Sequence, residues 1–341
     1  MAAFFPLQRI VLALWIASGA PVLAQLPDLV TDRPPSSGPT HIHAGLYYID
    51  ISEIDGAMET FTATAYLTLE WNDPRLRFTT NDENKVRLYK PDEIWTPAAE
   101  VVNAGKLDDQ EPSLCTVTSD GTVYYARRVV ASLNTPMDLR RFPFDQQQLR
   151  LIVESSRYGA RDLVFDFDPD QSGLGEDIVP RGWSYAPLSW KTVEQPFAQT
   201  QQAYSRLVFS LDATRNPVYF IWKILFPTAV FVLLTWSIFW MPVHDVQTAL
   251  LVSITILLTA VAFGNVTDSL LPKLGYRTWL DQFQLGSFLF IVSAVIETIA
   301  VHNLHLGGDN TRAVKIRKFL RLLYPVAYLL FCAILYLIAV I

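Results

Sequence analysis

The sequence has 341 residues, of which 51% are hydrophobic and 18% are charged, and its formal net charge is −6. This composition is too apolar for an average soluble domain and too charged for a bundle that lies wholly in a membrane, and it excludes disorder and collagen-like repeats. Residues 25–217 hold 28 acidic and 18 basic side chains, whereas residues 218–341 hold 5 acidic and 8 basic ones. We therefore predict an acidic soluble half, which argues against nucleic-acid binding, joined to a membrane half.

Residues 1–24 have the pattern of a secretory signal peptide. Arg9 precedes a short apolar run, and Val22-Leu23-Ala24 is a suitable cleavage site. A short first transmembrane helix is the alternative, but such a helix needs about 20 apolar residues, roughly twice the length of this run. The signal peptide predicts that the soluble half lies outside the cytoplasm.

The soluble half, residues 25–217, has the pattern of a β-sandwich. Residues 61–71 alternate apolar and polar side chains and are rich in Thr and aromatics, and residues 149–153 and 205–211 behave similarly. Clusters of Pro, Gly, Asp and Asn separate these segments, as many short strands require. The two cysteines, Cys115 and Cys332, lie in different halves, so no disulfide is expected between them, and metal-binding spacing is absent.

The membrane half, residues 218–341, contains four apolar stretches that are each long enough to span a bilayer. They cover about residues 218–242, 246–271, 283–304 and 319–341. The segment between the third and fourth stretches carries four basic residues, which by the positive-inside rule places it in the cytoplasm. We therefore predict a multi-pass protein of the cell membrane, surrounded by lipids, whose N-terminal domain and C-terminus are both extracellular or periplasmic.

The second apolar stretch carries polar side chains at helical spacing. One face holds Gln247, Leu251, Ile254, Thr255, Leu258, Ala262 and Asn265. This stripe is polar at its ends and apolar in the middle, so a ring of identical stripes would enclose a pore with a hydrophobic constriction. The alternative is packing between helices, with the hydroxyl groups bonded to their own backbone.

Several short motifs resemble those of the Cys-loop receptor family, the pentameric ligand-gated ion channels. Phe142-Pro143-Phe144-Asp145, within residues 137–146, resembles the signature loop of that family. The other motifs occur in the family's order: Trp71-Asn72-Asp73-Pro74-Arg75-Leu76, Ile94-Trp95-Thr96-Pro97, Arg215-Asn216-Pro217, Pro227 and Leu271-Pro272-Lys273. The two cysteines that flank the loop in animal receptors are replaced by Thr135 and Leu149. The resemblance covers residues 40–341 and is to a prokaryotic member.

The resemblance implies a homopentamer that binds a small-molecule agonist between its extracellular domains. The positions that match the binding site are Tyr66, Tyr158, Phe197, Tyr204 and Arg206. Two further positions of that site, Val102 and Ser156, are not aromatic, which weakens the case for an amine agonist and leaves protons as an alternative. Tyr66 and Tyr204 could instead pack within the sandwich.

The resemblance also implies a charged junction between the sandwich and the membrane helices. The matching residues are Glu53, Asp55, Asp145, Arg215 and Lys273. We expect Arg215 to be buried against Asp145 and an acidic residue of the early strand loop. The alternative is a set of ordinary surface ion pairs.

The pore helix suggests a gate and a selectivity ring. Aligning the helix to the family from its two ends places either Leu258 or Ile254 at the central hydrophobic ring. Asp245 is the only carboxylate in residues 243–247, which contain no Lys or Arg, so a ring of five carboxylates would favour permeant cations. The alternative for Asp245 is a helix cap.

The sequence contains no nucleophile triad, metal cluster or phosphate-binding loop, so we expect neither an enzyme nor a cofactor. A membrane-anchored β-sandwich binding protein without a conducting pore is the alternative function.

Overall fold

The chain forms a β-domain that is followed by four long helices. The computed structural model describes residues 30–79, 85–109, 114–179, 181–198, 201–268 and 274–340. The predicted signal peptide, residues 1–24, and the predicted coupling residue Lys273 lie outside these ranges.

The described residues of the β-domain contain thirteen strands. They are β1 (Thr40–Asp55), β2 (Thr60–Asn72), β3 (Val86–Tyr89), β4 (Ala99–Val101), β5 (Ala104–Asp109), β6 (Cys115–Thr118), β7 (Thr122–Asn134), β8 (Gln146–Ser155), β9 (Leu163–Phe167), β10 (Gly173–Leu174), β11 (Trp183–Tyr185), β12 (Ser189–Phe197) and β13 (Gln202–Arg215).

The strands form two sheets. The larger sheet has the order β10-β1-β2-β7-β6-β3, with β5 also paired to β7 and β9 to β1. The smaller sheet has the order β11-β13-β8-β4, with β12 also paired to β13. Both central pairings, β1 with β2 and β13 with β8, are antiparallel. A short turn joins β1 to β2, whereas β9 to β12 lie between β8 and β13 in the chain.

The two sheets share one apolar core, because alternate residues of each strand point inward. In β2, Phe61, Leu67 and Trp71 are buried, whereas Tyr66 between them is exposed. From the smaller sheet, Leu151 and Phe209 enter the same core. The predicted sandwich is therefore confirmed.

The turn between β6 and β7 shows how local sequence sets a hairpin. Gly121 has a φ of +87°, a conformation that residues with a side chain rarely adopt. Asp120 accepts hydrogen bonds from the hydroxyls of Thr118 and Thr122, and these bonds lower the pKa of its carboxyl group.

The described residues of the membrane half contain four helices that are long and apolar enough to cross a bilayer. They are α1 (Val218–Trp240), α2 (Val246–Asp268), α3 (Trp279–Leu306) and α4 (Asn310–Val340). In α1, a π-helical turn over Ile221–Leu225 precedes Pro227, which has no backbone N–H to donate. Gly286 of α3 lets the ring of Phe331 in α4 lie against the helix backbone, where a side chain would collide with it.

Two helices differ from the predicted boundaries. Helix α3 begins at Trp279 rather than near residue 283, because Thr278 and Asp281 form a capping box at its start. Helix α4 begins at Asn310 rather than near residue 319, so the basic segment predicted as a linker is mostly helical. Arg and Lys are good helix formers, and an apolarity pattern alone stops short of them.

Candidate functional site

The predicted pore stripe lies on one exposed side of α2. All seven of its residues are exposed in the isolated chain, and Leu251 and Leu258 are 67% and 64% exposed. The opposite side is buried against the other helices through Ala249, Ser253 and Thr267. The side of α2 that carries the stripe is therefore open to contact with water or with other chains.

The hydroxyl groups of α2 bond to the helix backbone. Thr255 donates to the carbonyl of Leu251 at 2.7 Å, and Thr259 donates to that of Thr255 at 2.8 Å. This is the pattern that the packing alternative requires. In this pattern the hydroxyl protons of Thr255 and Thr259 are donated to the backbone, and their oxygens can still accept a further hydrogen bond.

Asp245 stands directly before α2. Its carboxylate accepts a hydrogen bond from the backbone N–H of Thr248 at 3.3 Å, which satisfies one donor of the first helical turn. The side chain is half-buried. Asp245 therefore caps the helix, and its charge also lies at the end of the stripe that begins with Gln247.

A bidentate ion pair joins the signature loop to the end of the last strand. Arg215 donates to the two carboxylate oxygens of Asp145 at 2.7 and 3.1 Å. The carboxylate is 1% exposed and also accepts from Gln147 at 2.7 Å. The guanidinium lies 4.1 Å from the ring centroid of Trp183 and 4.8 Å from that of Phe142. This pair is buried, unlike an ordinary surface ion pair.

The two acidic residues of the early strand loop lie beside this pair. Glu53, Asp55 and Arg215 line one groove of about 490 Å³. Asp55 accepts from the backbone N–H groups of Ala57 and Met58, so its carboxylate organises its own turn. Arg215 pairs with Asp145, so the expected second acidic partner is a groove neighbour and not an ion-pair partner.

The signature loop also rests on the start of α3. The backbone N–H groups of Trp279 and Leu280 donate to the carbonyls of Arg140 and Phe142 at 2.8 and 3.2 Å. These donors belong to the first turn of a helix, which has no carbonyl of its own to offer them. The loop therefore completes the hydrogen bonding of a membrane helix.

Aromatic contacts reinforce the same junction. Phe144 packs edge-on against Trp279, with 4.9 Å between the ring centroids, and Phe142 packs against Phe220 at 4.6 Å. A displacement of the loop must therefore disturb α1 and α3 together.

Three of the predicted ligand-site residues lie together on the smaller sheet. Phe197 and Tyr204 meet edge-on across the β12–β13 hairpin, 5.5 Å apart, and Phe197 lines a groove of about 650 Å³. Arg206 lies 5.9 Å from the Phe197 ring and donates to Glu154 at 2.8 Å.

The remaining two predicted ligand-site residues differ in their surroundings. The Tyr158 hydroxyl accepts from the indole N–H of Trp95 at 2.9 Å, so Tyr158 is partly a packing residue. Tyr66 is 45% exposed on the outer face of the larger sheet and does not pack within the sandwich. Because the two sheets lie back to back, one chain presents the Tyr66 surface and the Phe197 surface on different sheets.

Two family models match the chain. The model of the neurotransmitter-gated ion-channel ligand binding domain matches residues 29–217, and that of the neurotransmitter-gated ion-channel transmembrane region matches residues 224–326. The chain belongs to this family. The predicted resemblance to pentameric ligand-gated ion channels is confirmed, and so is the expectation that the protein is not an enzyme. The channel is a multi-pass membrane protein with an extracellular ligand-binding domain.

Individual relatives are both prokaryotic and animal proteins. The channel is similar to a proton-gated ion channel of Gloeobacter violaceus, with 31% identity over 319 residues, 93% of this chain and 87% of the relative. It is also similar to gamma-aminobutyric acid receptor subunit beta-4 of Gallus gallus, with 27% identity over 292 residues, and to subunit pi of Rattus norvegicus, with 30% identity over 284 residues. These two matches cover 81% and 79% of this chain, and the chain spans 58% and 63% of the receptor subunits.

The structure of the channel adds a buried ion pair that the sequence reasoning did not single out. Glu297 of α3 and Arg317 of α4 approach to 3.3 Å, and their side chains are 7% and 3% exposed. Arg317 also donates to the carbonyls of Met241 and Pro242 at 3.0 and 3.3 Å. A lone carboxylate in an apolar helix is the signal that could have revealed this pair.

A second arginine of α4 binds the last turn of α1, just before the segment that contains Met241 and Pro242. Arg321 donates to the carbonyl of Phe239 at 2.7 Å, and the indole N–H of Trp236 donates to the carbonyl of Arg321 at 2.8 Å. The carbonyl of Phe239 lies in the last turn of α1, where helical partners are lacking, and those of Met241 and Pro242 lie just beyond it. The two arginines of α4 donate to all three. The position of the segment that leads into α2 thus depends on α4.

Proposed function

We propose that five copies of this chain form a cation-selective channel of a cell membrane, with the stripe of α2 lining the pore. The observation that carries the proposal is the division of α2 into an exposed polar–apolar–polar side and a side buried against its own bundle. In a single bundle surrounded by lipid, amides and hydroxyls exposed on a spanning helix would face hydrocarbon, which is unfavourable. In a ring of five such helices, the same side chains face an enclosed column of water. The N-terminal domain and the C-terminus then lie on the same, extracellular or periplasmic, side.

The gate in this proposal is a ring of apolar side chains. Leu251, Ile254 and Leu258 occupy successive levels of the exposed side, and all three project from the bundle surface. Five such side chains around one axis exclude water from a narrow constriction and so stop conduction. We place the central ring at Leu258, with Ile254 one helical turn away as the alternative.

Cation selectivity is proposed from charge at the cytoplasmic end of α2. The five residues from Val243 to Gln247 include Asp245 and no Lys or Arg. A five-fold ring of carboxylates lowers the energy of cations and raises that of anions at that point. The net charge of −10 on residues 25–217 adds cations to the solution near the outer mouth.

The agonist site is proposed to lie between extracellular domains, where the Phe197 surface of one chain meets the Tyr66 surface of the next. An ammonium ligand on the Phe197 ring would meet the Arg206 guanidinium, which already lies near that ring and repels a second cation. Protons need no aromatic cage. The Gloeobacter relative is named a proton-gated channel. We therefore propose protons as the agonist, with a small molecule as the alternative.

The coupling route in this proposal runs from the sandwich through the Arg215–Asp145 pair and the signature loop to α1 and α3. Glu53 and Asp55 lie in the same groove. With Lys273, which follows α2 in the sequence, they are proposed to complete the charged junction. A small rotation of the sandwich changes contacts with two membrane helices, which support the pore helix.

Recording from purified protein in planar bilayers tests the whole proposal. Stepping the pH from neutral to acidic should evoke current, and in a KCl gradient that current should reverse near the potassium equilibrium potential. If the current appears only when an amine is added at neutral pH, the amine and not the proton is the agonist. Reversal near the chloride potential would overturn the cation assignment, and failure of every condition to evoke current would favour a binding protein without a pore.

A further inference from the structure

Two histidines lie on the outer face of the larger sheet, at the start of β1. His41 and His43 are exposed, whereas Ile42 between them is buried in the core. Side chains two residues apart on a strand point to the same face, and their Cα atoms are roughly 6.6 Å apart. The two imidazoles therefore stand side by side. In a helix the same spacing would turn them away from each other, so the pair gains meaning only once this segment is known to be a strand.

A carboxylate on the next strand fixes the ring of the first histidine. Asp166 of β9 lies 2.7 Å from Nδ1 of His41. An ionised carboxylate can only accept a hydrogen bond, so Nδ1 carries the proton and Nε2 keeps its lone pair. Histidines that bind metals usually donate their other ring nitrogen in this way, which sets the tautomer and orients the ring. His41 is thus arranged to offer Nε2 to a metal ion outside the sheet.

The second histidine stands between two acidic residues. In the register of the larger sheet, His43 pairs with Glu70 of β2 on one side and with Asp166 of β9 on the other. Residues paired across neighbouring strands have Cβ atoms about 5 Å apart, so both acidic side chains adjoin the imidazole. The ring of His43 makes no hydrogen bond to a residue that the structure describes. Its nitrogens are therefore free, and the nearby negative charge favours a cation.

The histidines open into a groove with a rigid opposite wall. The groove has a volume of about 390 Å³, and Glu70 lines it together with both histidines. Arg33 holds the segment that forms the opposite wall, because it donates to the carbonyls of Gly38 and Asp162 at 3.0 and 2.9 Å. Proline rings with a fixed φ make up much of this wall. They are Pro34, Pro35 and Pro39.

We propose that His41 and His43 bind a divalent transition-metal ion, Zn²⁺, at this edge of the extracellular domain. Imidazole is a preferred ligand of Zn²⁺, whereas Mg²⁺ and Ca²⁺ prefer oxygen ligands. Each histidine supplies one nitrogen at about 2.0–2.1 Å, and water fills the remaining positions. Among the described residues no three His, Cys, Asp or Glu side chains are grouped around one point. Asp166 is therefore assigned to orient His41, and Glu70 to supply negative charge.

Isothermal titration of ZnCl₂ into the detergent-purified, chelator-treated protein tests this site. The wild type should bind one Zn²⁺ per chain that the double variant His41→Gln/His43→Gln does not bind. The other three histidines, at positions 244, 302 and 305, remain in this variant, so its residual binding measures the background. The titration does not require the protein to conduct.

The role of the orienting carboxylate has its own variant. Asp166→Ala should weaken the Zn²⁺ affinity about tenfold, because losing a group that orients a metal-binding histidine costs about 10–100-fold. Glu194→Ala is the matched control. It removes an exposed carboxylate from β12 of the smaller sheet and should leave the affinity unchanged.

Three outcomes would overturn the proposal. Equal Zn²⁺ binding by the wild type and the double variant would place all binding on other groups. Displacement of Zn²⁺ by an equal concentration of Mg²⁺ or Ca²⁺ would show a carboxylate site instead. Equal losses in the Asp166 and Glu194 variants would leave only general attraction of a cation to an acidic domain. His43→Gln alone decides the matter if a change at His41 disturbs the contact between β1 and β9, because His43 makes no hydrogen bond within the described ranges.

Discussion

Replacing Arg215 with Ala should damage the junction between the sandwich and the membrane helices. The substitution removes two charge-assisted hydrogen bonds, at 2.7 and 3.1 Å, from a carboxylate that is 1% exposed. Gln147 then remains as the side-chain donor to Asp145. Leaving a buried carboxylate without its partner costs about 3–5 kcal/mol. The lost contact with the Trp183 ring adds about 1 kcal/mol.

A loss of this size is large against the roughly 5–15 kcal/mol that stabilises a typical domain. For a domain of about 200 residues, this total of about 4–6 kcal/mol should lower the melting temperature by roughly 8–24 °C. Intrinsic fluorescence during heating of the detergent-purified protein measures this shift. Channel activation measured in parallel should need a stronger stimulus.

Two further variants separate the junction from general stability. Arg75→Ala breaks the pair with Asp73, another carboxylate that is 1% exposed, in the turn after β2. It should lower the melting temperature and leave the activation threshold unchanged. Adding Asp145→Asn to Arg215→Ala should restore part of the stability, because a neutral amide costs less to bury than an unpaired charge. If Arg215→Ala melts within about 2 °C of the wild type and activates normally, the pair has no role in coupling.

Four other predictions concern the assembly, the gate, the ion selectivity and the buried thiol. Native mass measurement in mild detergent should give five copies of the chain, and a monomer or dimer would contradict the assembly. Leu258→Thr should hydrate the constriction and raise the resting current, and unchanged currents in both this variant and Ile254→Thr would remove the hydrophobic gate. Asp245→Asn keeps a helix cap, so it should preserve expression while lowering conductance or cation preference in reversal-potential recordings. Burial raises the pKa of Cys115 to about 12, so its thiol should resist maleimide at pH 8 until the protein is denatured, as peptide mass mapping can show.

The sandwich could be predicted because its strands alternate buried and exposed side chains, and the four spans because each is a long apolar stretch. The alternation in residues 61–71 predicts which side chains of β2 enter the core, and the structure agrees for Phe61, Leu67 and Trp71. Whether Tyr66 packs within the sandwich was left open by the sequence, and the structure shows it on the outer face, 45% exposed. The pattern of one strand does not identify its neighbours, so the separation of Tyr66 from Phe197 on different sheets required the structure.

The Arg215–Asp145 pair of the junction could be predicted from the sequence, whereas the role of Asp55 could not. The Arg215–Asp145 pair follows from two motifs that the family places together. The role of Asp55 depends on turn geometry, because its carboxylate bonds to the two backbone N–H groups that follow it. The apolar pattern also placed the start of the predicted fourth helix too late, near residue 319 instead of at Asn310. Arg317 is buried despite its charge because Glu297 on a neighbouring helix neutralises it. The carboxylate within the apolar stretch signals a buried partner, but the sequence does not identify which basic residue that partner is.

The arginines of α4 give the biosynthesis of this channel a definite order. The carbonyls of Phe239 and Met241 find their donors 82 and 76 residues further along the chain. A nascent chain therefore completes the end of α1 and the segment between α1 and α2 before the arginines of α4 that bind them have left the ribosome. If subunits associate before α4 has inserted, the end of α1 and the segment between α1 and α2 lack the hydrogen bonds from Arg317 and Arg321. We therefore expect correct assembly to require the completed chain.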